Sequence, residues 1–124
     1  MKAILSIKPD FVNKILSGEK KFEYRKKIFK QPVETVVIYS SSPVQKFVGE
    51  FTISNILCSD ILNIWKETKS ESGISYNYYR KYFSKHKKAY ALEISNLKIY
   101  EEPINPTDVI PDFKPPQSYC YLKD

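Results

Sequence analysis

Residues 17–27 read SGEKKFEYRKK, and the side chains that can do chemistry concentrate there. Lys20 and Glu23 set an amine three residues from a carboxylate, and Arg25 follows two residues later. A lysine beside a carboxylate can be held at a shifted pKa and act as base or nucleophile, provided both are partly buried. Arg25 adds a planar fork that suits a phosphate or the carboxylate of Glu23. The plainer reading has Glu23 and Arg25 pairing with neighbours on an outward sheet face, and burial separates the two. Other chemistry is scarce. The one histidine, His86, sits in KHKK, a basic turn expected to be exposed, which argues against a Ser-His-Asp triad. Cys, His and Asp/Glu show no metal-ligand spacing, and three dispersed glycines make neither a phosphate loop nor a dinucleotide fingerprint. No metal and no cofactor is expected.

These residues must be positioned by their flanking elements. KAILSI (2–7) is an apolar run expected to be a buried strand. Pro9 and Asp10 suit the start of a helix over 9–17, whose apolar stripe is Phe11, Val12, Ile15 and Leu16. Gly18 stands where a left-handed cap ends that helix. The period then changes to two. Phe22 and Tyr24 point one way, toward the core, and Glu23 and Arg25 the other, in a strand expected over 21–28. The turn after Gly18 sets the phase of Lys20, so it can swing to the side of Glu23 and Arg25. A β-branched strand follows over 35–40 and ends at Tyr39, Ser40, Ser41 and Pro43. Tyr39 offers a stacking ring or plain packing; Ser40 and Ser41 offer hydroxyl donors to a base. A long strand is expected over 46–57, bent at Gly49, and another over 88–100. Between them lie helices over 60–70, capped by Asp60, and 76–84, capped by Ser75 with Ile74 as staple. The proline-rich stretch from Pro103 is expected to be irregular, with its aromatic end packing back on the body. The sum is one α+β, mainly β domain over 1–124: a small barrel with helices at its rim.

The 124 residues can bury a real core, and no apolar run spans a bilayer or makes a signal peptide, so a cytoplasmic protein off the membrane is expected. Cys58 and Cys120 are isolated and expected to be free core thiols. The net charge of +6 resides wholly in residues 1–30, where nine Lys/Arg face only Asp10, Glu19 and Glu23; beyond residue 30, 11 Lys/Arg balance 11 Asp/Glu. That asymmetry suits a polyanion, RNA or DNA, with Lys21, Lys26, Lys27 and Lys30 on the backbone phosphates; its alternative is a basic face that aids solubility.

Gly18-x-Lys20-x-x-Glu23-x-Arg25 resembles the G-x-K-x-x-E-x-R signature of the ASCH domain family, within the PUA-like superfamily. The resemblance continues through PDFVNKILSG, VVIYSSSP, VGEFTI, the helical insert, KAYALEI and PPQSYCYL, nearly the whole chain in order, and is nearest to small stand-alone members. It implies a PUA-like barrel with a cleft beside the signature that binds RNA or a nucleotide-like ligand through Lys20, Glu23, Arg25, Tyr39, Ser40 and Ser41. A role in transcription or translation control is implied too. Two rivals remain open. One is an enzyme using Lys20 and Glu23: a ribonuclease, or an amidohydrolase acting on acetylcytidine. In that amidohydrolase branch a Thr stands where this chain has Glu23, and a glutamate of the helical insert takes part; Glu71 or Glu67 would be its match. The other rival is a protein-interaction module, which would hold Lys20 and Glu23 flat on the surface. The sequence leaves the oligomeric state open.

Overall fold

The computed structural model describes residues 1–122. Six strands form one mixed sheet in the order β2-β5-β4-β3-β1-β6. Strand β1 (Lys2–Ile7) leads into helix α1 (Pro9–Ser17), which returns the chain to β2 (Phe22–Arg25). Strand β3 (Thr35–Ser40) pairs parallel with β1, and every other pairing is antiparallel. Strands β4 (Lys46–Asp60) and β5 (Lys88–Ile104) form the long central hairpin. Between them lie α2 (Ile61–Thr68), a 3-10 turn (Lys69–Glu71) and α3 (Tyr76–Tyr82). A short α4 (Pro106–Val109) precedes β6 (Tyr119–Leu122), which lies on the free edge of β1. No helix is long and apolar enough to cross a membrane among the described residues.

Local rules account for most boundaries. Gly18 caps α1 at φ 86°. The Asp60 carboxylate accepts the Asn63 N–H, and the Ser75 hydroxyl accepts the Tyr78 N–H. Gly49 lies so close to β5 that an added Cβ would be 2.6 Å from the Lys98 carbonyl oxygen, and the β4–β5 register shifts beside it.

Alternation sorts the apolar side chains into three clusters. Leu5, Ile7, Val36, Ile38, Phe51 and Leu92 meet Val12 and Ile15 of α1 on the inner face of the sheet. Ile4, Val37, Tyr39 and Phe47 face the other way, where Ile110 and Phe113 cover them. Phe22 and Tyr24 pack beneath Ile64, Tyr79 and Phe83 of the helical insert. The proline-rich segment is therefore part of the fold, with a helical turn and a strand of its own.

Several expectations need correction. The strand expected over 21–28 is only four residues long; beyond Arg25 the chain bends away, and the Lys30 and Gln31 N–H groups donate to the Tyr121 hydroxyl instead of a ladder. The hairpin strands run past their expected ends, to Asp60 and Ile104. Cys58 is free but exposed on β4, while Cys120 is half-buried.

Strands β2 and β6 are the two edges of the sheet, and no ladder joins them among the described residues. Arg25 spans the gap. Its Nη2 donates to the Ser118 carbonyl at 2.5 Å, and its Nη1 donates to Glu23 Oε2 at 3.3 Å. The barrel thus closes through a side chain. Removing one member of a buried charged pair typically costs about 3–5 kcal/mol. Arg25→Ala is expected to lower the unfolding free energy by about 3 kcal/mol in denaturant titration. Arg25→Lys recovers only part, since one ammonium cannot serve Glu23 and Ser118 together. Wild-type stability in Arg25→Ala would show that the seam contributes nothing.

Candidate functional site

Lys20 is placed by the turn that ends α1. After the left-handed Gly18, the Lys20 N–H donates to the Lys14 carbonyl at 3.0 Å. The Lys21 N–H donates to the Glu71 carbonyl, and the Lys21 carbonyl accepts the Ile94 N–H, so the next residue is tied to the insert and to β5. The Lys20 side chain is then held under Gly73, whose φ is 67°; a Cβ there would lie 2.5 Å from the Lys20 Cβ. Glycine is needed at position 73 twice over, for its conformation and for the lysine stem beneath it.

Lys20 is only 2% exposed. Its Nζ donates to the Ser72 carbonyl at 2.9 Å and lies 4.0 Å from Glu23 Oε1, an ion pair longer than a hydrogen bond. The Tyr24 and Phe11 ring centroids lie 4.8 and 5.6 Å from that nitrogen. Burial lowers the Lys20 pKa from its ordinary 10.5, Glu23 opposes that shift and Lys14 adds to it. Glu23 Oε2 accepts a hydrogen bond from Arg25 Nη1, which leaves Oε1 facing Lys20. Tyr24 is fixed by its hydroxyl. The Thr68 hydroxyl donates to the Ile64 carbonyl at 2.7 Å and so accepts from Tyr24, also at 2.7 Å. Burial pushes the Tyr24 pKa up to about 12.

The three charged groups and Tyr24 line one cavity of about 240 Å³. Ser6, Ile7 and Lys8 at the end of β1 form part of its wall, with Phe11 from α1 and Gln117 from the C-terminal segment. Tyr78 and Tyr82 of α3 complete it. Lys20 and Glu23 therefore sit at the base of a pocket and not on a flat surface. The floor holds two cations and one anion, and its walls are largely aromatic.

Other expected members lie elsewhere. Tyr39 packs against Phe47 and Phe113, with ring centroids at 6.0 and 5.2 Å, in the outer cluster. The parity of β3 explains this: Val36 and Ile38 face inward, so Val37 and Tyr39 face outward. Ser40 is buried at the β1–β3 pairing, and the Ser41 N–H donates to the Ile7 carbonyl; neither lines the cavity. Glu71 forms an exposed ion pair with Lys21 at 3.2 Å, outside the cavity, and Glu67 is exposed on α2. The insert thus brings no carboxylate to Lys20. Lys21 is engaged by Glu71, whereas Lys26, Lys27 and Lys30 are exposed, and the Lys26 ammonium stands 4.5 Å from the Tyr82 ring centroid. Phe11 belongs to the apolar stripe expected for α1, and no expectation above assigns Tyr78 or Tyr82 to the site; only the meeting of α1, α3 and β2 makes the three of them walls.

Residues 2–112 match a family described as a domain of unknown function, DUF365. The chain is 29% identical over 128 residues to a Zymomonas mobilis protein named ASCH domain-containing ribonuclease, covering 98% of this chain and 84% of that one. A crystal structure of ASCH from Zymomonas mobilis superposes with a TM-score of 0.91 at 28% identity, over 98% of this chain and 87% of that chain. The chain is also 34% identical over 121 residues to a Ureaplasma parvum protein named ATP synthase subunit alpha. There it covers 97% of this chain but spans only 15% of the relative's length.

The lowered pKa of Lys20 has a measurable sign. Below its lowered folded value the lysine is charged in the folded and unfolded chain, and the full burial penalty stands. As pH climbs through the lowered folded value toward 10.5, the unfolded chain keeps a proton that the folded one has released, so stability rises. Lys20→Met keeps the stem and removes the charge. Its melting temperature relative to wild type is expected to be highest near neutral pH and to fall as pH approaches 10.5. A difference that stays constant with pH would mean that Lys20 is solvated.

Proposed function

This chain belongs to the ASCH domain family, and on that premise we propose that it binds RNA, holding one unpaired nucleotide in the cavity above Lys20, Glu23 and Arg25. The observation that carries the reading is a buried amine and carboxylate with bonding capacity to spare, at the base of an aromatic pocket. Lys20 uses one N–H on Ser72, and among the described residues Glu23 Oε1 has no hydrogen-bond donor. An adjacent donor and acceptor are what a base edge requires. Burying such charges is costly, and a ligand that completes their bonds offsets the cost. The volume falls below the roughly 300–1,000 Å³ of drug-sized sites, which suits a single base better than a longer fragment. Phe11 and Tyr24 offer ring faces inside, and the exposed Lys26, Lys27 and Lys30 offer charge for phosphates outside.

A second reading is favoured by the name of the Zymomonas mobilis relative: cleavage of the bound RNA. Here the ribose 2′-oxygen would attack the adjacent phosphorus and the P–O5′ bond would break, leaving a cyclic phosphate and a 5′-hydroxyl. Glu23 would take the 2′ proton, and Lys20 would supply one to the leaving oxygen. The acetylcytidine reading loses support, because Glu71 and Glu67 lie outside the cavity.

Fluorescence anisotropy with labelled single-stranded RNA tests the first reading, with the matching DNA as control. Log affinity is expected to fall with log salt by roughly 0.7 per phosphate contacted. The double substitution Lys26→Glu, Lys27→Glu weakens binding to all sequences alike and flattens that slope. Lys20→Met abolishes specific binding and leaves the fold intact. Affinity that ignores salt and Lys20 alike would sink the proposal. Gel analysis of the same RNA for a cyclic phosphate end decides the second reading.

A further inference from the structure

Helix α3 sets two tyrosines at the cavity wall, each with a lysine above it. Tyr78 and Tyr82 stand one helical turn apart, with ring centroids 6.5 Å apart and planes within 13° of parallel. Both rings are half-buried. The exposed Lys8, just beyond β1, holds its Nζ 5.3 Å from the Tyr78 centroid, and the exposed Lys26, just beyond β2, holds its own 4.5 Å from that of Tyr82. Three elements thus deliver a continuous succession of contacts: lysine, tyrosine, tyrosine, lysine. The rings are already fixed. Phe11 meets Tyr78 edge-on at 4.9 Å, and Phe83 meets Tyr82 edge-on at 4.8 Å.

We infer that this succession is a stacking track for single-stranded RNA, and the inference rests on the RNA-binding reading above. With one nucleotide in the cavity, its neighbours on the strand lay their bases on Tyr78 and Tyr82. Lys8 and Lys26 take the accompanying phosphates. An exposed lysine over a ring is suited to this exchange, because rotation about its own flexible stem moves the ammonium from the ring face to a phosphate oxygen. Stacking is tolerant of sequence, since every base has a π-face, and rings held in place lose little freedom on binding. A duplex cannot use the track, because its bases are already stacked on one another. The chain is therefore a reader of unpaired RNA with a footprint longer than the single nucleotide in the cavity. The charge agrees, since the whole excess of +6 lies in residues 1–30, which include both lysines.

The test compares wild type, Tyr78→Leu, Tyr82→Leu and their phenylalanine counterparts on an eight-nucleotide RNA, the same strand annealed to its complement, and a strand with abasic sites flanking one central base. Wild type is expected to bind the single strand and to lose most affinity for the duplex. Each leucine variant loses about 5- to 150-fold on the single strand with an unchanged salt slope, and each phenylalanine variant binds like wild type. Abasic flanks weaken wild type by a similar factor and cost the leucine variants nothing further. Lys8→Gln leaves the stacking loss alone and flattens the salt slope by roughly 0.7. The abasic strand tests wild type directly, so the inference stays exposed even if a leucine variant fails to fold. Leucine variants that bind as wild type while Lys20→Met does not would overturn the track and spare the cavity. Equal affinity for duplex and single strand, or indifference to abasic flanks, would also overturn it. A wild type that binds no RNA would remove both readings.

Discussion

One guanidinium holds the molecule's edges and its pocket together. Arg25 is the last residue of β2, at one edge of the sheet, and Ser118 immediately precedes β6, at the other. The fork of Arg25 reaches the Ser118 carbonyl with one nitrogen and Glu23 with the other. Only a rigid, two-pronged donor does both, which a lysine at position 25 could not. The first bond closes the barrel where no backbone ladder does. The second fixes one oxygen of Glu23 and thereby turns the other toward Lys20. Without Arg25, Glu23 would be a buried carboxylate facing a buried ammonium at 4.0 Å, without a firm hydrogen bond between them.

Burial makes this arrangement expensive, and the backbone meets the expense with specific devices. Lys20 reaches the interior because Gly18 turns the chain out of its helical phase and Gly73 leaves room for the lysine stem. The Ser72 carbonyl takes one of its three protons. What remains is an ammonium with unused donors beside two aromatic faces, on the wall of a cavity of about 240 Å³. A core built for stability alone would place an apolar residue there, since replacing buried ion pairs with packed apolar groups is often neutral or stabilising. Its place at the wall of a cavity is the physical support for the proposal that the cluster is a binding floor.

Much of this was legible in the sequence, because it follows from local rules. Gly18 after an apolar stripe, the alternation of Phe22 and Tyr24 with Glu23 and Arg25, and the caps at Asp60 and Ser75 are set within a few residues of chain. What failed depended on distant partners. The sequence offers Tyr39 as a stacking ring at the cleft or as plain packing, and its parity with Val37 sends it to packing under Phe113, more than seventy residues away in sequence. The signal was present in the alternation of 36–39, but choosing which face meets the site needed the position of the C-terminal segment. Glu71 failed for a similar reason: the 3-10 turn that carries it directs its side chain to Lys21 on the outer surface. Tyr78 and Tyr82 carry no local signal of a site, because only the distant ends of β1 and β2 make that side of α3 a cavity wall.

The C-terminal segment has a share in both tasks, which constrains how substitutions near the site are interpreted. Gln117 lines the cavity, Ser118 accepts the closing bond, Tyr119 packs edge-on against Phe29 at 4.9 Å, and Tyr121 receives two N–H groups from the 26–33 bend. Loosening this segment would open the seam and remove a cavity wall in the same step. A loss of binding on substituting Arg25 or Ser118 would therefore not by itself identify a ligand contact. Lys20 separates the two tasks. It is buried at a net cost, it bonds only the insert and Glu23, and it takes no part in the seam, so its removal isolates the chemistry of the pocket from the closure of the barrel.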